Sequence, residues 1–91
     1  MKLDFEYDPE KSHANKTKHG IDFDEAKILW EVSQRIMIPA RCVDEPRWLL
    51  IALAKETCWS VIYTIRDHKI RIISVRKSRK DEKEIYYSGR T

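Results

Sequence analysis

Ile70-Arg71-Ile72-Ile73-Ser74-Val75-Arg76-Lys77 is the stretch that decides the fold, because it is composed as a buried strand and yet carries three cations. Strict alternation puts Ile70, Ile72, Ser74 and Arg76 on one side and Arg71, Ile73, Val75 and Lys77 on the other. Both sides are apolar in the middle. That predicts an inner strand covered on two faces, with its cations near the ends where the cover runs out.

Working outward, Trp59 to Arg66 alternates Trp59, Val61, Tyr63 and Ile65 against Ser60, Ile62, Thr64 and Arg66, and Asp67-His68-Lys69 turns it into the inner strand. Trp48 to Ala54 is continuously apolar, as in a central strand, and Arg35 to Ile38 is a short strand expected to end at Pro39. A polar loop through Asp44-Glu45-Pro46 joins these last two. Sequential strands with short links predict an antiparallel meander.

Upstream, Leu3, Phe5 and Tyr7 alternate with Asp4, Glu6 and Asp8, the pattern of a short strand at or near a sheet edge. Asp8-Pro9-Glu10 starts a helix with Asp8 as cap, and Gly20 stops it after Lys16, Lys18 and His19, cations suited to the last turn. Asp22-Phe23-Asp24-Glu25 has capping-box spacing. It opens a second helix with Ile21 stapling onto Ala26 and an apolar stripe of Phe23, Ala26 and Trp30, with Ile28 or Leu29 alongside. From Ser78, read as a cap, to Gly89 the chain is polar and helical. The expected class is α+β, in the order β-α-α-β-β-β-β-α, with two N-terminal helices on a small antiparallel sheet and a C-terminal helix.

The chain has 91 residues, 42% hydrophobic and 36% charged, with a formal charge of +3. That allows one soluble domain over residues 1–91 with one modest core. Cys42 and Cys58 are too few and too far apart for a zinc pattern and read as reduced small hydrophobes. No apolar run approaches the ~20 residues of a membrane helix, and the N-terminus lacks a signal-peptide pattern, so a cytoplasmic location is expected. Acids gather early, whereas Lys and Arg outnumber acids between Arg66 and Lys83, giving one end of the fold a positive field.

Phe5-Glu6-Tyr7-Asp8-Pro9-Glu10-Lys11, Asn15, Lys18-His19-Gly20-Ile21, Phe23, Glu25-Ala26, Tyr63-Thr64, Arg66 and Ile70 to Lys77, in this order and spacing, resemble the BrnT toxin family. The resemblance implies a toxin of a bacterial type II toxin–antitoxin system with a RelE-like fold. It implies inhibition of translation by cutting RNA, with no metal or other cofactor. The implied partner is a BrnA-type antitoxin, whose ribbon-helix-helix dimer also binds the operon's promoter.

Such chemistry requires attack of a ribose 2′-OH on the adjacent phosphate, with one proton removed, another delivered, and a phosphorane stabilised. Arg suits the last task because its planar fork holds two phosphate oxygens, and His is the proton carrier near neutral pH. The candidates are His19, Arg66, Arg76 and Tyr86 for catalysis, and Lys18, Arg47, Arg71, Lys77 and Arg79 for phosphate or RNA binding. Glu82 is a candidate base or orienting acid. Each has a structural alternative: His19 as a helix-end cation, Arg66 and Arg71 as rim residues, Tyr86 as a packing residue of the last helix. Trp30, Trp48 and Trp59 read as core, His13 as a solvent-facing helix residue and His68 as a turn residue. A non-catalytic toxin or co-repressor on the same scaffold, acting by binding as ParE-like relatives do on a topoisomerase, is the other reading.

Overall fold

The computed structural model describes residues 3–40 and 46–88. Local signals form where they were read. Strand β1 (Phe5–Glu6) leads into helix α1 (Pro9–His19), where the Asp8 carboxylate accepts from the Glu10 N–H at 2.9 Å and Pro9 occupies the first turn. Gly20, at φ 80, closes α1 by donating its N–H to the Lys16 carbonyl. Helix α2 (Phe23–Ala26) opens with a complete capping box between Asp22 and Glu25. It then tightens into a 3₁₀ turn (Lys27–Glu31), which buries Leu29 and Trp30 and leaves Ile28 exposed.

Four strands follow: β2 (Ile36–Ala40), β3 (Arg47–Ala54), β4 (Thr57–Arg66) and β5 (Lys69–Lys77), then helix α3 (Lys80–Ser88). β2 to β5 form the expected antiparallel meander, and the sheet order is β1-β5-β4-β3-β2. Two-residue turns at Lys55–Glu56 and Asp67–His68, all four residues at positive φ, have the handedness that matches twisted hairpins. The sheet departs from the all-antiparallel expectation at β1, which pairs in parallel with β5 through Phe5–Ile70 and Glu6–Arg71. β1 and β5 are neighbours in the sheet without being consecutive in the chain, with the helices and three strands between them, so no hairpin turn sets their relative direction. Pro39 does not end β2. It lies inside that strand opposite Trp48, tolerated because β2 is a sheet edge where a missing N–H costs no ladder bond.

A bulge changes the reading of β5. Ser74 pairs with Ile62 and Ile72 with Tyr63, so Ile73 is an extra residue and the strict alternation breaks there. Ile72 and Val75, three apart, consequently share one face and one core with Phe23, Ala26, Leu29, Trp30, Leu50, Val61 and Tyr63. Edge-to-face contacts Phe5–Trp30 and Trp30–Tyr63, with centroids 5.1 and 5.2 Å apart, tie β1 and the 3₁₀ turn to the sheet. On the opposite face Leu49, Ile51, Cys58 and Tyr86 form a second cluster under α3. The same bulge moves Arg76 off the face of Ile72 and onto the face of α3. Cys58 is buried as a free thiol, while Cys42, the Asp44–Glu45 part of the loop and Gly89 lie outside the described residues.

Candidate active site

α1 delivers its last turn to the outer edge of β5. Because β1 pairs only with Ile70 and Arg71, the edge beyond them needs another partner, and the buried Asn15 supplies it. Its side-chain amide donates to the Val75 carbonyl at 2.9 Å and to the Ile21 carbonyl at 2.7 Å, and its oxygen accepts from the Val75 N–H at 3.3 Å. One side chain thus stands in for a strand and binds the two chain segments that follow α1 and precede Arg76. Lys18 and His19, set at the C-terminal turn by the Gly20 stop, come to the end of β5 as a result.

The start of α3 completes the convergence. Ser78 is not the cap expected of it: its hydroxyl pairs with that of Ser60 at 2.8 Å. Arg79 holds the cap position, its carbonyl accepting from the Lys83 N–H and its own N–H donating to Glu82 Oε1 at 2.8 Å, half of a capping box. Glu82 also takes both prongs of the Arg76 fork, Nη1 at 2.7 Å and Nη2 at 2.8 Å, and the Ser60 hydroxyl at 2.9 Å. The paired guanidinium, with the Arg79 and Ser60 donors, outweighs burial and holds the Glu82 carboxyl down at about 2. The same pair keeps Arg76 charged.

Lys18, His19, Arg76, Lys77 and Arg79 line one open cleft of about 360 Å³. Five of the ten residues singled out from the sequence meet there, and all but His19 are Lys or Arg. Glu82 lies beneath them, 7% exposed, and accepts four bonds, three at Oε1 and one at Oε2. The remaining four are elsewhere. Arg66 lies at the far end of β4, six residues from Ser60 and hence about 20 Å from the Arg76 row. Arg71 bonds Glu6 at 2.8 Å, and Arg47 begins β3 in that same far region. Tyr86 is 1% exposed in the cluster under α3 and is not brought to the cleft.

Ser60, Ser78 and Asn15 are the supporting residues to which the sequence reading assigned no such role. The one available signal was a lone hydroxyl, Ser60, between apolar neighbours in Trp59 to Tyr63. Among the described residues no group of three or more His, Cys, Asp or Glu side chains is gathered that could hold a metal ion, and no helix is long and apolar enough to cross a membrane.

The α+β scaffold thus gathers four Lys or Arg side chains and an imidazole on one cleft, a concentration of positive charge. Residues 7–82 match the family model described as the ribonuclease toxin BrnT of type II toxin–antitoxin systems, and the chain belongs to that family. A type II toxin of this kind has RNA as its target and an antitoxin as its partner. Comparison with curated proteins gives no match.

Proposed function

We propose that this toxin cuts RNA without a metal, in the cleft where α1, β5 and α3 meet, and that a BrnA-type ribbon-helix-helix antitoxin neutralises it. The reading takes residues 1–91 as one functional unit working in the cytoplasm. The observation that carries it is the lining of the cleft, Lys18, His19, Arg76, Lys77 and Arg79, with Arg76 braced from below by Glu82.

Lys18, Lys77 and Arg79 hold the phosphates on either side of the scissile bond as point charges and forks. Arg76, fixed by its two bonds to Glu82, turns the rest of its guanidinium to the phosphorane and offsets the charge that develops there. His19, the one imidazole of the cleft, is the proton carrier. Glu82 orients Arg76, and Tyr86 packs α3 against the sheet instead of handling a proton. Arg47, Arg66 and Arg71, four to six residues along the strands from the Ser60–Arg76 row and so roughly 13–20 Å away, serve flanking nucleotides.

The test uses purified protein and a single-stranded RNA in excess EDTA. Cleavage to fragments ending in 2′,3′-cyclic phosphate, abolished by 2′-deoxy substitution at the cut, is the expected result. Cleavage that appears only when a divalent cation is restored overturns the metal-independent reading, and binding without cleavage favours the non-catalytic one.

A further inference from the structure

Ser60 is fully buried in the middle of β4, on the face it shares with Cys58 and Ile62. A buried hydroxyl is destabilising unless it is hydrogen-bonded. Ser60 donates to Glu82 Oε1 at 2.9 Å and, its single hydrogen being used there, accepts from the Ser78 hydroxyl at 2.8 Å. Oε1 therefore collects donors from three elements: Ser60 of β4, Arg76 of β5 and the Arg79 N–H at the start of α3.

Packing does not require this polarity. A small apolar side chain at Ser60 would fit the surrounding cluster, and a buried ion pair is in general no more stabilising than well-packed apolar residues. Its geometric effect is specific, however. The hydroxyl adds a fixed donor from β4 to the Arg76 and Arg79 donors that hold the Glu82 carboxylate, and Glu82 holds both prongs of Arg76. Arg76, with its side chain 20% exposed, is the one cleft residue pinned in this way by a buried carboxylate.

We infer that Ser60 is a positioning residue of the cleft, fixing the Arg76 guanidinium and the first turn of α3 through Glu82. The inference rests on the ribonuclease reading for its kinetic consequence. Lys18, Lys77 and Arg79 still meet the substrate when the hydroxyl is removed, so substrate binding persists while stabilisation of the phosphorane weakens.

The test compares wild type with Ser60→Ala, the near-isosteric Ser60→Cys and the hydroxyl-retaining Ser60→Thr, using the full chain and an RNA oligonucleotide. Four quantities are read: kcat, KM, the thermal midpoint, and the Arg76 guanidinium NMR resonances. The expected result is a loss of about tenfold in kcat with KM within about twofold for the Ala and Cys variants, the scale of one hydrogen bond to a charged group. It comes with a midpoint lowered by only a few degrees, because Glu82 keeps its Arg76 and Arg79 donors, with broadened Arg76 resonances, and with recovery of kcat in Ser60→Thr. Wild-type kcat and sharp Arg76 resonances in both Ala and Cys variants overturn the proposal. So does a kcat loss that only tracks a lowered midpoint, with Arg76 undisturbed, or a folded Thr variant as slow as Ala. If wild type itself leaves RNA uncut, the ribonuclease reading fails, and unbroadened Arg76 resonances in the Ala variant then overturn the positioning role separately.

Discussion

Replacing Glu82 by Gln removes one charge from the buried bracket while keeping its shape, and its consequence can be worked through in both stability and pH. Glu82 accepts four bonds, two from Arg76 and one each from Ser60 and the Arg79 N–H. Its carboxyl is lowered from 4.5 to about 2, and at about 1.4 kcal/mol per pH unit that displacement is worth about 3 kcal/mol. A carboxyl lowered on folding contributes stability that is present above its unfolded value, near 4.5, and lost as pH falls through its folded value, near 2. Glu82→Gln is therefore expected to lower stability by about 3 kcal/mol at pH 7, in the range for breaking a buried pair, and the midpoint by about 15 °C. The gap between the two proteins must then close between pH 4.5 and pH 2, because only the wild type loses this contribution there. Urea unfolding at fixed ionic strength, repeated from pH 7 to pH 2, measures the gap directly. A gap that stays constant across that range, or that is absent at pH 7, refutes the bracket as described.

Asn15→Leu should cost about 2–3 kcal/mol, because it orphans the N–H and carbonyl of Val75 and the carbonyl of Ile21, and amide exchange at Val75 should accelerate; unchanged protection there would mean the clamp carries no load. His19→Ala is expected to slow single-turnover RNA cleavage by about 10²-fold or more with stability changed by under about 0.5 kcal/mol, since His19 is only half-buried at a helix end; near-wild-type cleavage removes it as proton carrier. Lys77→Ala and Arg79→Ala should each reduce the slope of log affinity for single-stranded RNA against log salt by about 0.7, and a slope unmoved by either would place the phosphates outside this cleft.

What could be read from the sequence is what is decided locally. Asp8, Asp22, Glu25 and Gly20 answer to backbone groups within three or four residues, so the helix boundaries around α1 and α2 were legible. So was the meander, with β3 specified by its apolar run, β4 and β5 by their alternation, and β3, β4 and β5 linked by turns of two residues. The bulge at Ile73 was not, because Ile72-Ile73 is apolar on either face and only pairing with β4 shows which residue is extra. Nor was the assignment of Arg79 to the cap of α3, since Ser78 is the better intrinsic cap until Ser60, eighteen residues away, claims its hydroxyl. The site divides along the same line. Lys18, His19, Arg76, Lys77 and Arg79 were recognisable by residue type, but their meeting depends on the Asn15 clamp, sixty residues from Val75 in sequence, and on the bulge that turns Arg76 toward α3. Arg47, Arg66 and Arg71 carry the same chemistry and lie apart only because strand length separates them from the cleft.

The most direct test of the central claim is an NMR titration of ¹⁵N-labelled protein with a single-stranded oligonucleotide made uncleavable by 2′-O-methyl substitution. The account predicts that the largest shifts fall on Lys18, His19, Lys77 and Arg79 and on the Arg76 guanidinium, and that they vanish in an Arg76→Ala/Arg79→Ala protein shown to be folded. Shifts centred instead on Arg47 and Arg66, or on a second groove, lined by Ile21, Ile28, Leu29 and Trp59, would contradict it.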